Sequence, residues 1–537
     1  MAQTLLAWCG YECLHHGTQR VELYSKLGGS FLGSMRQQRP DESQSDFLKR
    51  VKKHAARLMP HHLGFTWRSV EVEVGEVGCK VLVGWSTAKA VQRVAKKHST
   101  KVNDPSEVQD LYLNILSSCR KVVEEVGVYQ SAICCSISGA SSTEPAFADL
   151  NVLSRLSSLQ RLSLTKGYFD LQGIASPGLN EVRLEDARVA NFLSLPATLD
   201  VIVAKDVQLD NILFQDVVRS FPSLEILVLK DAGLNGIIPS ELGCLKLCKL
   251  KVFRNNLEHS IPSELGNTTT LEVLNLKANR LVGAIPSEIF SLPDLQSLNL
   301  SSNQLTGRII ASSFGEQLYD LNLADNQLGG EIPLALSLAT TLEFVNLSNN
   351  QLVGTIPSGL LSLPNLISLK LASNQLSGKI PTIIGQELRI LDLRRNQLSG
   401  TIPVFEGPRL EKILLQQNYL TGGIPSGLAR LGRLAFVGVS YNLLSGTIPT
   451  ELGQLRGTVV DDSCELLASH NRLSGTLPHE LLRNFDVLDL SHNRLSGSLP
   501  SEILARRMTI DLSHNRLSGP LPDWSEPVKF NLEANRF

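Results

Sequence analysis

A group of cationic side chains in the second half of the chain has the chemistry to bind carboxylates. An arginine guanidinium presents a planar fork of donors that can give two parallel hydrogen bonds to one carboxylate. Arg394 and Arg395 are adjacent, so their side chains diverge, and a solvated pair of charges is the alternative to a shared carboxylate site. The charged members of the group are Lys370, Arg389, Asp392, Arg394, Arg395 and Lys412, and Gln416, Gln417, Phe436 and Tyr441 extend it.

Three histidines form a second pattern with possible chemistry. His470, His492 and His514 recur at a step of 22 residues. Imidazoles at that spacing could bind a metal ion or titrate together near neutral pH. All three occur within the same seven-residue sequence, S-H-N-R-L-S-G, which favours duplication of one repeat as the simpler explanation. We predict that they stack on successive repeats, with no metal site and no cofactor.

Both patterns belong to a repeat that is clearest between Leu342 and Pro357. Apolar residues occupy its first, fourth and sixth positions, an asparagine the ninth, Leu the eleventh and Gly the thirteenth, and Ile-Pro closes it. The alternation of Val345 and Leu347 predicts a short strand with its apolar side inward. The amide of Asn350 can donate and accept together, so it can join the backbones of neighbouring coils. Thirteen asparagines share this position, at Asn255, Asn279, Asn303, Asn326, Asn350, Asn374, Asn396, Asn418, Asn442, Asn471, Asn493, Asn515 and Asn535.

A period of 20 to 24 residues with this pattern indicates a leucine-rich repeat. The tail L-x-G-x-I-P, as in Leu376 to Pro381, resembles the plant-specific class of these repeats. The resemblance implies an α/β solenoid, a right-handed superhelix with a parallel β-sheet on its concave face and a second short strand in each coil. Most proteins of the class are ectodomains of receptor-like kinases, receptor-like proteins or secreted inhibitors, and they bind peptides, hormones, glycans or co-receptors.

The register of the repeat names the side chains on the concave face, since residues between the strand leucines point away from the core. Earlier coils contribute Lys251, Phe253, Arg254, Tyr319, Asp320 and Phe344. The cationic group around Arg394 lies on later coils. We expect a peptide or protein ligand to bind through these positions, and a co-receptor is a further candidate partner.

The region before the repeats has a different kind of sequence. Alternating valines on either side of Gly75-Glu76 predict a β-hairpin, and helical patterns surround it. Between Phe47 and Lys101 there are 12 Lys or Arg and 3 Asp or Glu, which nucleic acid or lipid binding could explain, but solvated helix faces explain it as well. The predicted organisation is a loop-rich segment 1–45, a small basic α+β module 46–140, degenerate repeats 150–220 and regular repeats 221–537 that end within a repeat.

Three departures from the plant class affect the expected location. The W-x-G-V-x-C cap is not matched, no signal peptide or apolar span is present, and Asn535-Arg536-Phe537 stops inside a coil, so we expect a fragment. The resemblance implies an extracellular or cell-surface protein, and a cytoplasmic one is the alternative. Asn267, in Asn-Thr-Thr on a connecting segment, is the natural glycosylation site if the chain is exported.

The remaining features argue against catalysis. Basic and acidic residues are balanced at 51 and 52, so no overall charge favours nucleic acid or an anionic membrane. No nucleophile elbow, H-E-x-x-H or phosphate-binding loop occurs. We predict a non-enzymatic recognition module with a receptor-like role in signalling or defence. A soluble intracellular scaffold for protein interactions is the alternative.

Overall fold

The computed structural model describes residues 67–74, 77–84, 133–138, 148–149, 159–174, 176–209, 212–455, 464–500, 509–521 and 529–537. The chain divides into two compact units, Met1–Pro196 and Ala197–Phe537. The helices predicted for 46–140 lie outside the described residues. The part of the chain that the structure describes contains no helix long and apolar enough to cross a membrane.

The first unit contains the hairpin that the alternating valines predict. Strand Trp67–Val74 pairs antiparallel with Val77–Gly84, and Val74 lies opposite Val77. Strand Ile133–Ser138 joins the hairpin antiparallel on one side and strand Leu159–Asp170 in parallel on the other. Strands Ala148–Asp149 and Glu181–Ala190 also pair in parallel with Leu159–Asp170, and a 3₁₀ helix follows at Phe192–Ser194.

The second unit is a solenoid whose coils each add one strand to a parallel sheet. In the three-residue strands from Val273–Asn275 to Thr509–Asp511, the central residue is an aliphatic side chain in the core, as with Leu274 and Leu298, both 0% exposed. Burial of each such side chain contributes about 1.5–3 kcal/mol before the entropy cost of ordering the chain. The fold class predicted from the repeat is thereby confirmed. The strands are Val201–Lys205, Ile226–Lys230, Lys249–Phe253, Val273–Asn275, Ser297–Asn299, Asp320–Asn322, Phe344–Asn346, Ser368–Lys370, Ile390–Asp392, Lys412–Leu414, Phe436–Gly438, Glu465–Leu467, Val487–Asp489, Thr509–Asp511 and Lys529–Asn531.

A second short strand follows the ladder asparagine in most coils, as the L-x-G-x-I-P tail predicts. These strands pair in parallel within several small sheets. The Gly of the tail has a positive φ, as with 79° at Gly354 and Gly378, a conformation that Gly adopts without steric cost. The second strands are Asn235–Ile237, Asn256–His259, Arg280–Gly283, Gln304–Leu305, Gly329–Glu331, Gln351–Val353, Ser377–Lys379, Gln397–Thr401, Tyr419–Thr421, Ser445–Gly446, Arg472–Gly475, Arg494–Gly497 and Arg516–Leu517, and Gln208–Leu209 is a further short strand.

In most of the described coils, the chain returns to the next coil through one short helix. The Pro of the tail has an extended backbone, and its carbonyl accepts the first turn's hydrogen bond, as from Leu242 N to Pro239 O at 3.2 Å. A proline thus begins the helix without needing a donor of its own. The α-helices are Phe214–Ser220, Ser287–Phe290, Ser358–Leu361 and Leu481–Asn484, and the 3₁₀ helices are Ser240–Cys244, Ser263–Asn267, Leu334–Leu338, Ser426–Arg430 and Thr450–Gln454.

The ladder asparagines join each coil to the one before it. The Oδ1 atom of Asn350 accepts the backbone N–H of Leu328 at 3.0 Å. Its Nδ2 atom donates to the carbonyl of Leu323 in the preceding coil at 3.0 Å and to that of Leu347 in its own coil at 3.1 Å. The asparagines from Asn255 to Asn535 all accept from, and donate to, the backbone of the preceding coil.

Candidate concave binding face

The concave face is the exposed side of the parallel sheet in the second unit. Its side chains come from the first and third residues of each short strand, because the central residue is in the core. Parallel pairing places equivalent residues of successive coils side by side, as with Asp320 and Phe344. The face therefore consists of rows that run across the coils.

The residue before each ladder asparagine forms a further row, at the end of the strand. Its backbone is left-handed, with φ of 57° at Arg254, 54° at Arg395 and 55° at Tyr441. Residues other than Gly seldom adopt this conformation. The sequence pattern does not predict it, since the position holds Arg, Ala, Ser, Asp, Asn, Gln, Tyr and His in different coils. The only signal is the distance of one residue from the asparagine.

The predicted aromatic residues of the face are accessible to different degrees. Tyr319 is 39% exposed, Phe344 40% and Tyr441 50%. Phe253 and Phe436 are half-buried. Three exposed rings on one surface offer large, rigid contact areas, the residue type in which binding energy concentrates at protein interfaces.

The structure changes the interpretation of Asp392 and Arg394. Asp392 is only 5% exposed, so it does not offer its carboxylate to a ligand. Its two oxygens accept hydrogen bonds from Nε and Nη2 of Arg394 at 2.9 and 2.8 Å. This pair raises the pKa of the Arg394 guanidinium above its ordinary value. Arg394 therefore already has the bidentate carboxylate partner that its chemistry suits.

The other members of the cationic group differ in whether they already contact another side chain of the protein. Nε of Arg395 donates to Oε1 of Gln417 in the next coil at 2.7 Å, away from Arg394. Arg389 lies 3.9 Å from a carboxylate oxygen of Glu411. Lys370 and Lys412 form no ion pair among the described residues. The two lysines are thus the charges of this group that are most available to a ligand.

The remaining predicted positions are partly occupied by contacts within the protein. Arg254 forms an ion pair with Asp231 at 3.1 Å, and Lys251 is half-buried beside it in the same coil. Gln416 lies across the backbone of Gly438, where any added Cβ would collide with its amide. Oε1 of Gln416 is buried and accepts no hydrogen bond within the described part of the chain. Glycine at position 438 is therefore what lets Gln416 lie flat on the sheet.

The histidines stack in a column at the left-handed position. Ring centroids are 4.1 Å apart for Tyr441 and His470, 4.0 Å for His470 and His492, and 4.1 Å for His492 and His514. Burial, and then the neighbouring charge of His492, lowers the pKa of His470. No group of three or more His, Cys, Asp or Glu side chains among the described residues is arranged to hold a metal ion.

The sequons differ in accessibility. Asn267 is exposed at the end of the 3₁₀ helix Ser263–Asn267. Two further sequons, Asn299-Leu-Ser and Asn346-Leu-Ser, have their asparagines on the sheet, where each Oδ1 atom accepts the backbone N–H two residues later. Asn267 remains the candidate for glycosylation.

Comparison with known proteins identifies the repeat. The family model for the leucine-rich repeat matches residues 294–315, 341–363, 365–386, 387–405, 484–505 and 508–526. The matched segments are leucine-rich repeats, and the chain resembles leucine-rich-repeat proteins of the plant type. No curated protein sequence matches it closely enough to count as a relative.

Solved structures of plant receptors share this leucine-rich-repeat fold. The plant peptide hormone receptor RGFR1 in complex with RGF2 is 25% identical, with a TM-score of 0.58 over 72% of this chain and 69% of that one. The complex PEPR1-AtPEP1 is 27% identical, with a TM-score of 0.51 over 69% of this chain and 64% of that one. A TDR receptor, 24% identical with a TM-score of 0.54 over 72% and 82% of the two chains, shares the fold. The chain thus spans less than two thirds of the PEPR1 chain.

Proposed function

We propose that this chain is a non-enzymatic recognition module that binds a peptide or protein ligand through the concave face, in a receptor-like role. The observation that carries the proposal is the concentration of exposed aromatic rings and unpaired lysines on one side of the parallel sheet. The similarity to a plant peptide hormone receptor solved in complex with RGF2 supports it. Lys370, Lys412, Tyr319, Phe344 and Tyr441 are the proposed contacts.

Selection of random peptides on the native chain tests the proposal without knowledge of the natural ligand. Peptides enriched from a phage-displayed library would be synthesised and their Kd measured on wild type and on two concave variants, Phe344→Ala and Lys412→Ala. We expect each variant to weaken binding by about tenfold or more, which corresponds to about 1.4 kcal/mol. Leu334→Ala is the matched control, because Leu334 is 77% exposed on the 3₁₀ helix Leu334–Leu338, away from the parallel sheet. Enriched peptides that lose affinity with Leu334→Ala and keep it with both concave variants would overturn the proposal.

A further inference from the structure

Asp320 is a carboxylate on the concave face that, unlike Asp392, has no cationic partner among the described residues. Asp320 begins the strand Asp320–Asn322 and is half-buried. The hydroxyl of Ser297 donates to its Oδ2 atom at 2.8 Å. No Lys, Arg or His side chain lies within 4.0 Å of it among the described residues. Asp392, by contrast, forms an ion pair with Arg394.

Burial without a cation has an electrostatic cost at Asp320. Burial raises the pKa of its carboxyl above the ordinary value, and the hydrogen bond from Ser297 opposes that rise only in part. A positive charge brought next to the carboxylate would offset this cost, since opposite charges stabilise the ionised form. The site therefore gains more from a ligand cation than an exposed carboxylate would.

Aromatic rings border this carboxylate. Phe344 lies directly opposite Asp320 in the parallel register and is 40% exposed. Tyr319 precedes Asp320 and is 39% exposed. Lys and Arg side chains are attracted to the faces of such rings, most strongly where water is partly excluded. The carboxylate suits the charged group of a Lys or Arg side chain, and the rings suit its apolar methylene groups.

We propose that Asp320, Phe344 and Tyr319 form a subsite for a Lys or Arg side chain of the ligand. This inference rests on the proposed function and names one chemical feature of the peptide. Lys412 lies four strands away along the sheet, which is about 19 Å at about 4.8 Å per strand. An extended peptide covers that distance in about six residues. The ligand would thus present a cation to Asp320 and an anion, at the other end of a stretch of about six residues, to Lys412.

Designed hexapeptides test the subsite directly. One peptide has Arg at one end, Asp at the other end and Gly and Ser residues between them. A second peptide replaces the Arg with its neutral isostere citrulline. Each peptide is made with the sequence in both directions. Binding to the whole chain is measured by calorimetry at pH 7. For one direction we expect the Arg peptide to bind about tenfold more tightly than the citrulline peptide. Asp320→Asn should bring that ratio close to one, while Asp325→Asn, an exposed carboxylate in the same coil, should preserve it.

The outcomes separate this inference from the proposed function. Equal binding of the Arg and citrulline peptides, loss of the ratio with Asp325→Asn, or no binding of any hexapeptide at millimolar concentration would each overturn the cation subsite. The proposed function would survive these results if library-selected peptides still depended on Phe344 and Lys412. A further readout is pH: the Arg preference should disappear as Asp320 protonates, in a range above the ordinary value of 3.8 because burial raises its pKa.

Discussion

At the scale of single residues, the asparagine ladder shows how one amide can replace water inside the solenoid. From Asn255 to Asn515, each ladder asparagine is at most 9% exposed and binds backbone groups that the strands leave unpaired. A buried donor without a partner costs about 1–3 kcal/mol. The asparagine therefore acts on stability through the groups that it satisfies in the preceding coil.

Asn350→Ala should destabilise the chain by about 1–3 kcal/mol, because it leaves the buried N–H of Leu328 without an acceptor. The carbonyls of Leu323 and Leu347 keep hydrogen bonds from Asn326 and Asn374. The urea midpoint of unfolding is the measurement. Gln351→Ala is the control, since Gln351 is exposed, and it should change stability by less than about 0.5 kcal/mol. Equal effects of the two substitutions would contradict the assignment.

The histidine column predicts a pH dependence. The pKa of His470 is lowered by burial and by His492, while Asp489 acts in the opposite direction. The unfolded state then binds more protons than the native state below pH 6.5, so the stability contributed here falls as the pH drops from 6.5 to the lowered pKa. Asp511, whose pKa is also lowered, acts only below 3.8.

His470→Gln should flatten the change of thermal midpoint between pH 7.5 and pH 5. The comparison of variant and wild type isolates His470, because the other titrating groups are common to both proteins. The same slope in both proteins would show that the stacked ring does not titrate differently in the native state.

At the scale of elements, the return helices pack closely enough to require glycine. Gly243 in the 3₁₀ helix Ser240–Cys244 faces the backbone of Glu264 in the next coil. A Cβ added at Gly243 would collide with the Glu264 carbonyl oxygen and lie 2.7 Å from its carbon. Backbone cannot move aside as the end of a side chain can, so the two helices would separate.

Gly243→Ala should therefore destabilise the chain by about 1–3 kcal/mol. Gly432→Ala is a matched control with the opposite expected sign, because nothing lies within 4 Å of an added Cβ there and its backbone is not left-handed. The control should stabilise by about 0.4–1 kcal/mol by reducing the entropy of the unfolded chain. Chemical denaturation of both variants measures the difference, and a neutral Gly243→Ala would show that the helices can move apart without cost.

At the scale of the whole molecule, the solenoid should transmit stability between neighbouring coils. The carbonyl of Leu347 accepts hydrogen bonds from both Asn350 and Asn374. Either single substitution leaves it one donor, whereas the double substitution leaves it none. Coupling between adjacent coils is thus built into one shared acceptor.

Asn350→Ala/Asn374→Ala should cost at least about 0.5 kcal/mol more than the sum of the single variants. Asn279→Ala/Asn515→Ala should be additive within about 0.5 kcal/mol, because Asn279 and Asn515 share no acceptor. Double-mutant cycles from urea unfolding provide the test. Additive behaviour of the adjacent pair would mean that the shared carbonyl finds another donor.

The sequence by itself determined the coil, its register and the face on which a ligand is expected to bind. The spacing of Leu342, Val345, Leu347 and Asn350 is enough, because a period of about 24 with alternating apolar residues can bury its core only by stacking. The hairpin of Trp67–Val74 and Val77–Gly84 was also predictable from neighbouring residues in the sequence. Such features depend on neighbours in the sequence and on copies of the same unit.

Only the tertiary structure decided which charges on that face are free. Asp392 and Arg394 are two residues apart, but the sequence could not show that the aspartate is buried and closes on the arginine. Asp320 looked like one more surface carboxylate until Ser297 and Phe344 were placed beside it by coils 23 and 24 residues away. Pairing between side chains depends on burial and on contacts across coils, and these arise only when the coils stack.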